Sequence, residues 1–284
     1  MSKKKIPPRP EELALPCVGV DTHAHMDYGA FDQDLDAVLD RARSAGVGWV
    51  GNVFLGPENF AANVGIFAAR PDVFYLLGVH PHEATSADDA ALSRMQDFFR
   101  TEPRLKAMGE IGLDYYYADK SPPEIQRKAF REQLALARAL DVPVAIHSRD
   151  ADNDVITTLL DLGFKDRPVL WHCFGKGRDL AATILAQGWH ISFPGVLTFP
   201  KNEQVREAVA FAPLERMVLE TDCPFLSPVP YRGKRNEPSY LAFVAAAAAE
   251  CKNMDPAELW TRCGETARKF FGLDAAGDIQ DNSA

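Results

Sequence analysis

The sequence predicts an α/β chain folded as a (β/α)8 TIM barrel in a single domain. Three observations lead there. Short apolar runs, each closed by a polar tip, alternate eight times with stretches of helical periodicity. The runs are rich in β-branched residues and lack clean polar alternation, as in a parallel sheet buried on both faces. No Gly-x-Gly-x-x-Gly follows the first run, which disfavours the alternative of a doubly wound open sheet. With 284 residues, 46% hydrophobic and 25% charged, the chain has globular composition and enough length for one large domain.

The elements follow in order. Residues 1–12, basic and then Pro-rich and acidic, read as a flexible N-terminal arm, and the barrel domain is expected over 13–273. The first strand run, 13–20, leads into Asp21-Thr22-His23-Ala24-His25. A helix over 31–45 carries Leu35, Val38, Leu39 and Ala42 at helical spacing and stops at Gly46. Run two, 47–54, precedes a helix over 58–69 that ends before Pro71. Run three, 73–79, delivers His80-Pro81-His82, and a helix over 87–100 follows. Run four, 105–111, contains Glu110; Pro122 and Pro123 then open a long helix to 140 with Ile125, Ala129, Leu134 and Ala137 on its apolar face.

Run five, 142–146, ends in His147 and precedes a helix over 152–162. Run six, 168–171, ends in His172; its helix, 178–187, stops at Gly188. Run seven, 189–193, precedes a helix over 202–211, and run eight, 216–220, ends in Thr221-Asp222. A last long helix is expected over 238–251, with further short helices across 257–271 and a polar, frayed tail over 274–284.

The formal net charge of −9 argues against broad electrostatic attraction to nucleic acid or to an anionic membrane. It leaves room for an anionic substrate, because metals and a few arginines reverse the sign locally. Five cysteines, an odd number without a Cys-x-x-Cys, suit reduced thiols in a cytoplasmic protein. Lys3-Lys4-Lys5 is not followed by the apolar stretch of a secretory signal, and no apolar run approaches the roughly 20 residues of a membrane span, so no membrane partner is expected.

Barrel enzymes build their sites at the C-terminal ends of the strands. The predicted tips carry His23 and His25 after strand one, His80 and His82 after strand three, Glu110 in strand four, His147 after five, His172 after six and Asp222 after eight. Six of the seven histidines fall there, where chance would scatter them over helices and loops. In an extended chain His23 and His25 point to one face and can grip one divalent ion. Glu110 and Asp222 follow apolar residues, where an unpartnered carboxylate costs several kcal/mol. Four histidines and two carboxylates make a ligand set for a pair of divalent metals. His190, inside strand seven, reads as structural, and Cys173 and Cys223 are expected to point away from the metals.

Eight segments, in order from about residue 20 to 271, belong together. They are 20–27 (Val-Asp-Thr-His-Ala-His-Met-Asp), 78–82 (Gly-Val-His-Pro-His), 109–115 (Gly-Glu-Ile-Gly-Leu-Asp-Tyr) and 146–151 (Ile-His-Ser-Arg-Asp-Ala). The others are 171–174 (Trp-His-Cys-Phe), 191–195 (Ile-Ser-Phe-Pro-Gly), 220–226 (Glu-Thr-Asp-Cys-Pro-Phe-Leu) and 232–238 (Arg-Gly-Lys-Arg-Asn-Glu-Pro). Taken together and in order, these segments resemble the TatD family of metal-dependent deoxyribonucleases of the amidohydrolase superfamily. One departure stands out: Gly175-Lys176-Gly177 occupies the place where the family usually has Ser-Gly. The resemblance implies that His23, His25 and Asp222 hold one ion, that His147 and His172 hold the other, and that Glu110 bridges them. It also implies cleavage of DNA from the 3′ end, with single strands preferred.

On that reading a water activated by the metals attacks phosphorus in line, with Asp222 orienting it and accepting its proton. His80 positions the phosphate or protonates the leaving oxygen. Arg149, Arg232, Arg235 and His82 are candidate substrate contacts, with the alternative that Arg232 and Arg235 anchor their own loop. Phe54, Tyr115 and Phe193 are candidates for base stacking. Zinc, manganese or iron suits the ligands, and the resemblance adds magnesium. The rival readings are a small-molecule amidohydrolase or phosphotriesterase, an aminoacyl-tRNA deacylase on the same site, and a non-catalytic scaffold.

Overall fold

In the computed structural model, which describes residues 7–273, eight parallel strands pair in chain order and form one sheet. They are β1 Gly19–Ala24, β2 Val47–Leu55, β3 Val73–Gly78, β4 Leu105–Asp114, β5 Val144–Arg149, β6 Val169–Trp171, β7 His190–Phe193 and β8 Met217–Leu219. The seam between β8 and β1 is drawn together by a bridge between Ala24 and Cys223 and by Thr22 Oγ1, which donates to Leu219 O. The expected barrel is therefore present. The helices between the strands are α1 Leu35–Ser44, α2 Pro57–Asn63, α3 Asp89–Thr101, α4 Pro123–Leu140, α5 Asp152–Asp161, α6 Arg178–Leu185 and α7 Glu203–Phe211; α8 Leu241–Lys252 and α9 Pro256–Phe271 close the chain. Among the described residues no helix is long and apolar enough to cross a membrane.

Two cores result. The larger lies between sheet and helices and joins β-strand residues such as Val50, Leu77 and Ile146 to helix residues such as Val38, Leu134 and Val155. The smaller fills the barrel, with Val20, Val53, Leu76, Ala107, Ala145, Leu170 and Val218 each from a different strand, and Ala267, Phe270 and Phe271 of α9 among them. The Phe271 ring lies 4.8 Å from that of Phe74. Helix α9 thus packs under the N-terminal end of the barrel and leaves the C-terminal end for the polar tips.

Helix α4 braces that polar end. Gln126 and Gln133 are seven residues apart, so they share one face of the helix. Gln133 accepts from Val79 N and donates to Val79 O, just past β3. Gln126 accepts from Asp114 N and donates to Asp114 O, at the tip of β4. Buried backbone groups that leave the sheet ladder need such partners. Gly112 sets β4 against β5: its φ is +150°, and a Cβ there would lie 1.9 Å from His147 O.

Several boundaries differ from expectation. The first strand starts at Gly19 rather than at 13; Pro10–Leu13 is a 3₁₀ turn ended by Ala14 in the left-handed region, and Pro16 has no N–H to give a ladder. Of the expected arm, residues 1–6 lie outside the described residues, as does the tail 274–284. The second helix breaks into α2 and a 3₁₀ turn over Val64–Phe67, and a 3₁₀ turn over Pro238–Tyr240 precedes α8. The expected short helices over 257–271 are one 16-residue helix, α9. Asp255 caps it, its carboxylate accepting from Ala257 N and Glu258 N, with Pro256 in the first turn.

Candidate metal centre

The strand tips converge on Glu110. Its Oε2 faces His23 Nε2 at 3.4 Å and His25 Nε2 at 3.7 Å. Its Oε1 faces His147 Nδ1 at 2.8 Å, His172 Nε2 at 3.3 Å and His80 Nε2 at 3.5 Å. One carboxylate therefore divides five imidazoles into two sets. Asp222 joins the first set, with Oδ1 3.4 Å from His25 Nε2. Asp222 has φ of 55°, a left-handed conformation uncommon outside glycine; its N–H donates to His23 O across the barrel seam. The backbone there is held in a sparsely populated state by its neighbours, as is common at functional sites.

A second layer of carboxylates orients the histidines. Glu220, fully buried, lies 3.1 Å from His172 Nδ1 and accepts from Cys173 N at 2.6 Å. Asp114 Oδ2 lies 3.1 Å from His147 Nε2 and 2.8 Å from His82 Nε2. Such partners fix which ring nitrogen is left for an ion. Asp21 clasps β1 to the β8 end, accepting from Thr221 N at 2.9 Å and Thr221 Oγ1 at 2.5 Å. Burial pushes its pKa up to about 8, against the pull of those bonds. Asn52 accepts from Met26 N and donates to Asp27, fixing the turn beyond His25.

Electrostatics divides the imidazoles as well. Burial alone pushes Glu110 up, but His172, His80 and His147 outweigh it and hold its pKa well below the usual carboxylate range. Burial also opposes the protonation of His172, yet Glu220 and Glu110 raise its pKa well above the ordinary value. His23 goes the other way: burial, then the charge of His172, lowers it. The two rings stack at 3.6 Å, so both cannot carry a proton cheaply. Burial likewise lowers His80.

The donor set fits metal ions. His23 Nδ1, His23 Nε2 and His25 Nδ1 are buried without a hydrogen-bond partner. Among the described residues no lysine or arginine pairs with Glu110, Asp114, Glu220 or Asp222. Buried anions facing unpaired nitrogens are well suited to holding a cation between them. Three-residue groups with ligand atoms close enough for one ion are His23, His25 and Glu110; His23, His172 and Asp222; His80, Glu110 and His147; and His172, Cys173 and Glu220.

All six proposed ligands thus meet in one place, and His80 meets them too. His82 stands one step out, on Asp114. Arg149 lies at the rim, its guanidinium 4.0 Å above the Tyr116 ring. Arg235 is held by Asp34 at 2.7 and 2.8 Å and donates to Ala30 O, and Arg232 lies over the Phe199 ring at 4.0 Å. Lys176, in the departing loop, is 3.8 Å from Asp150.

Other expectations are corrected. Phe54 and Phe193 are core residues without exposed surface, because their strand positions point them at the helix layer. Tyr115 gives its hydroxyl to Asp154 at 2.6 Å. Cys173, in a left-handed conformation, turns its Sγ toward Asp222 Oδ2, 3.9 Å away, whereas Cys223 is buried against Met26. Glu220 and Asp114 are the functional neighbours that sequence reading passed over. Both are carboxylates close in sequence to ligand positions, Glu220 two residues before Asp222 and Asp114 four after Glu110.

A family profile described as "TatD related DNase" matches residues 20–272. The chain is 35% identical to the uncharacterized metal-dependent hydrolase YabD of Bacillus subtilis, over 89% of this chain and 99% of that protein. It is 33% identical to the uncharacterized metal-dependent hydrolase YcfH of Escherichia coli strain K12, over 90% of this chain and 97% of the relative. Among solved structures, the TatD homologue YjjV of Escherichia coli K12 superposes with a TM-score of 0.84 at 30% identity, covering 91% of this chain and 99% of that one. The chain is a metal-dependent hydrolase and belongs to the family of TatD-related DNases.

Proposed function

We propose that this hydrolase is a divalent-metal-dependent deoxyribonuclease that cleaves DNA phosphodiester bonds as a 3′ to 5′ exonuclease on single strands. The observation that carries the reading is the division of five imidazoles between the two oxygens of Glu110. A bridging carboxylate with nitrogen donors on each oxygen suits two ions rather than one. His23, His25 and Asp222 would hold the first and His147 and His172 the second, with His80 beside the second set. Two divalent ions there, magnesium, manganese or zinc, would neutralise phosphoryl oxygens and make a shared water acidic.

The chain's own groups do the rest. Asp222 has one oxygen on His25 and the other beside Cys173, so it can orient the attacking water and take its proton. Asp114 and Glu220 hold His147 and His172 in the tautomers that leave Nδ1 and Nε2, respectively, facing Glu110. His80 Nε2 faces the same oxygen as His147, and its lowered pKa favours a neutral ring that can hydrogen-bond a phosphate oxygen.

The test is hydrolysis of end-labelled single-stranded DNA by purified protein with Mg²⁺ or Mn²⁺ added or withheld. Metal content is measured on the same sample, and Glu110→Ala is run beside it to exclude a contaminant. Metal-dependent shortening from the 3′ end, absent in the variant, is the expected result. A folded protein with measured metal that leaves DNA intact would turn the reading toward a small ester, amide or phosphotriester.

A further inference from the structure

The mouth of the barrel carries aromatic rings in two places only half a circumference apart. On the seam between β8 and β1, Tyr28 and Phe225 stand 5.8 Å apart, edge to face, and both approach His25, at 5.1 and 6.2 Å. Beyond β4 and at the end of β5, Tyr116 and Tyr117 stand 4.8 Å apart, Tyr117 lies 5.0 Å from His82, and the Arg149 guanidinium covers both rings. In a ring of eight strands paired in order, the β8–β1 seam and the β4–β5 seam are four strands apart in either direction. The two aromatic ledges therefore face each other across the mouth, with Glu110 and its histidines between them.

The rings are not part of the core. Phe225 is 48% exposed, Tyr116 58% and Tyr117 36%. Neighbouring large apolar side chains on the site's own rim mark a surface that a ligand covers. The ledges differ in charge. The β4–β5 ledge carries Arg149, for which no acidic partner is present among the described residues. Among the described residues no cation lies over the rings of the β8–β1 ledge: Arg235 is held by Asp34, and Arg232 lies over Phe199 instead. Aside from Asp222, its nearest charged neighbour in the chain is Asp27.

We infer that the two ledges are base-stacking platforms on either side of the scissile phosphate, an inference that rests on the nuclease reading above. The 3′-terminal base stacks on Phe225 and Tyr28, whose rings carry no guanidinium. The penultimate base stacks on Tyr116 and Tyr117, and the next phosphate of the strand meets Arg149. Stacking tolerates any base, because every base has a π face. It requires the bases to be unpaired and splayed, so the ledges select single strands by shape rather than by sequence. They are specificity-determining residues; the phosphate chemistry stays with the metal ligands.

The experiment uses the metal-loaded full chain and release of the first nucleotide from a single-stranded oligonucleotide. Two further substrates lack one base each, at the 3′-terminal or the penultimate position, with all phosphates kept. In the wild type either abasic site should raise KM by about tenfold, the size of one lost stacking contact. In Phe225→Ala the terminal abasic site should no longer matter while the penultimate one still does. In the double variant Tyr116→Ala/Tyr117→Ala the pattern should invert. Circular dichroism and metal content check that each variant is folded and loaded. A wild type indifferent to abasic sites, or variants that keep both penalties, would overturn the ledges while leaving the nuclease reading intact. The opposite crossing would overturn the assigned direction of the strand. A loaded wild type that cuts none of the oligonucleotides is the failure of the nuclease reading itself.

Discussion

The two ends of the barrel both bury histidine, in opposite electrostatic company. At the C-terminal end, five imidazoles stand within 3.7 Å of one carboxylate, and further carboxylates hold three of them or their neighbours from behind. At the N-terminal end, His190 opens β7 beside Arg216 and the Phe270 ring, in a cavity of about 490 Å³ that is also lined by Arg167, Glu215 and Lys269. Burial, reinforced by Arg216, pushes His190 down to about 4, so it is a neutral packing group at ordinary pH. The contrast teaches that a buried histidine is read by what faces its nitrogens. Carboxylates on several sides, with nitrogens left over, describe a place for cations; an arginine and a phenylalanine ring describe a side chain that merely fills space.

The largest effect should come from removing the carboxylate that makes the first end different. Glu110→Ala leaves imidazoles facing each other with nothing between them. Metal bound per chain should fall, and hydrolysis should drop by on the order of 10³-fold, because transition-state charge stabilisation is lost with the ions. Elemental analysis and turnover on the same sample check it. Full metal occupancy in the variant would break the comparison at its root.

A smaller effect should follow from the layer behind. Glu220→Gln keeps the size of the side chain and weakens its hold on His172 Nδ1 and Cys173 N. Orienting partners of this kind are worth about 10–100-fold in metal affinity or activity. Titration with a chelator should show weaker retention of one ion while the fold, by circular dichroism, is unchanged. An unaltered metal affinity would demote Glu220 to a packing role and bring the two ends of the barrel closer in kind.

How far this contrast was legible in the sequence follows from its chemistry. His23, His25, Glu110, His147, His172 and Asp222 each ended or interrupted an apolar run, and strand polarity then placed them at one end. That step needs only the alternation of strands and helices. His190 was separable for the same reason, since it lies inside its run rather than ending it. Glu220 and Asp114 were harder, because their role lies in which nitrogen they face, a matter of side-chain direction across two strands. The stacking candidates failed for a related reason. Phe54 and Phe193 lie inside strands, where alternate positions point into the helix layer, while the exposed rings Tyr116, Tyr117 and Phe225 lie in loops without periodicity to mark them. The start of β1 is hidden in the sequence because apolar character extends back through Leu13-Ala14-Leu15, although Pro16 interrupts any ladder.

His190 sharpens the comparison through pH. Its folded pKa lies below its unfolded value, so on acidification the unfolded chain takes up the proton first. The stability it supports is fully present above pH 6.5 and is lost as the pH falls toward about 4. Allowing for its residual solvent contact, the loss should be about 2 kcal/mol. His190→Phe removes the titrating group, so denaturant midpoints of variant and wild type should converge as the pH is lowered from 7 to 4. Parallel curves over that range would show that His190 is already solvated and is not the neutral packing group that burial and Arg216 make it.

The smallest effect concerns an arginine at the first end that faces away from its chemistry. Arg235 is bidentate on Asp34, and both side chains are about one-third exposed, which limits the pair to about 1 kcal/mol. Arg235→Ala should therefore lower the melting temperature by about 2–4 °C. It should leave the salt dependence of DNA binding unchanged, because a guanidinium already neutralised by Asp34 releases no counterion from DNA. Arg149→Ala is the paired measurement: with no acidic partner of its own, Arg149 should contribute about one phosphate contact, and its loss should flatten the slope of log K against log salt by about one. The two variants remove the same charge from the same end of the barrel. If both flatten the slope equally, Asp34 does not hold Arg235 in solution, and the loop after β8 joins the DNA-binding surface. If only Arg149 does, the rim sorts its arginines as the barrel sorts its histidines, by the carboxylates already in contact with them.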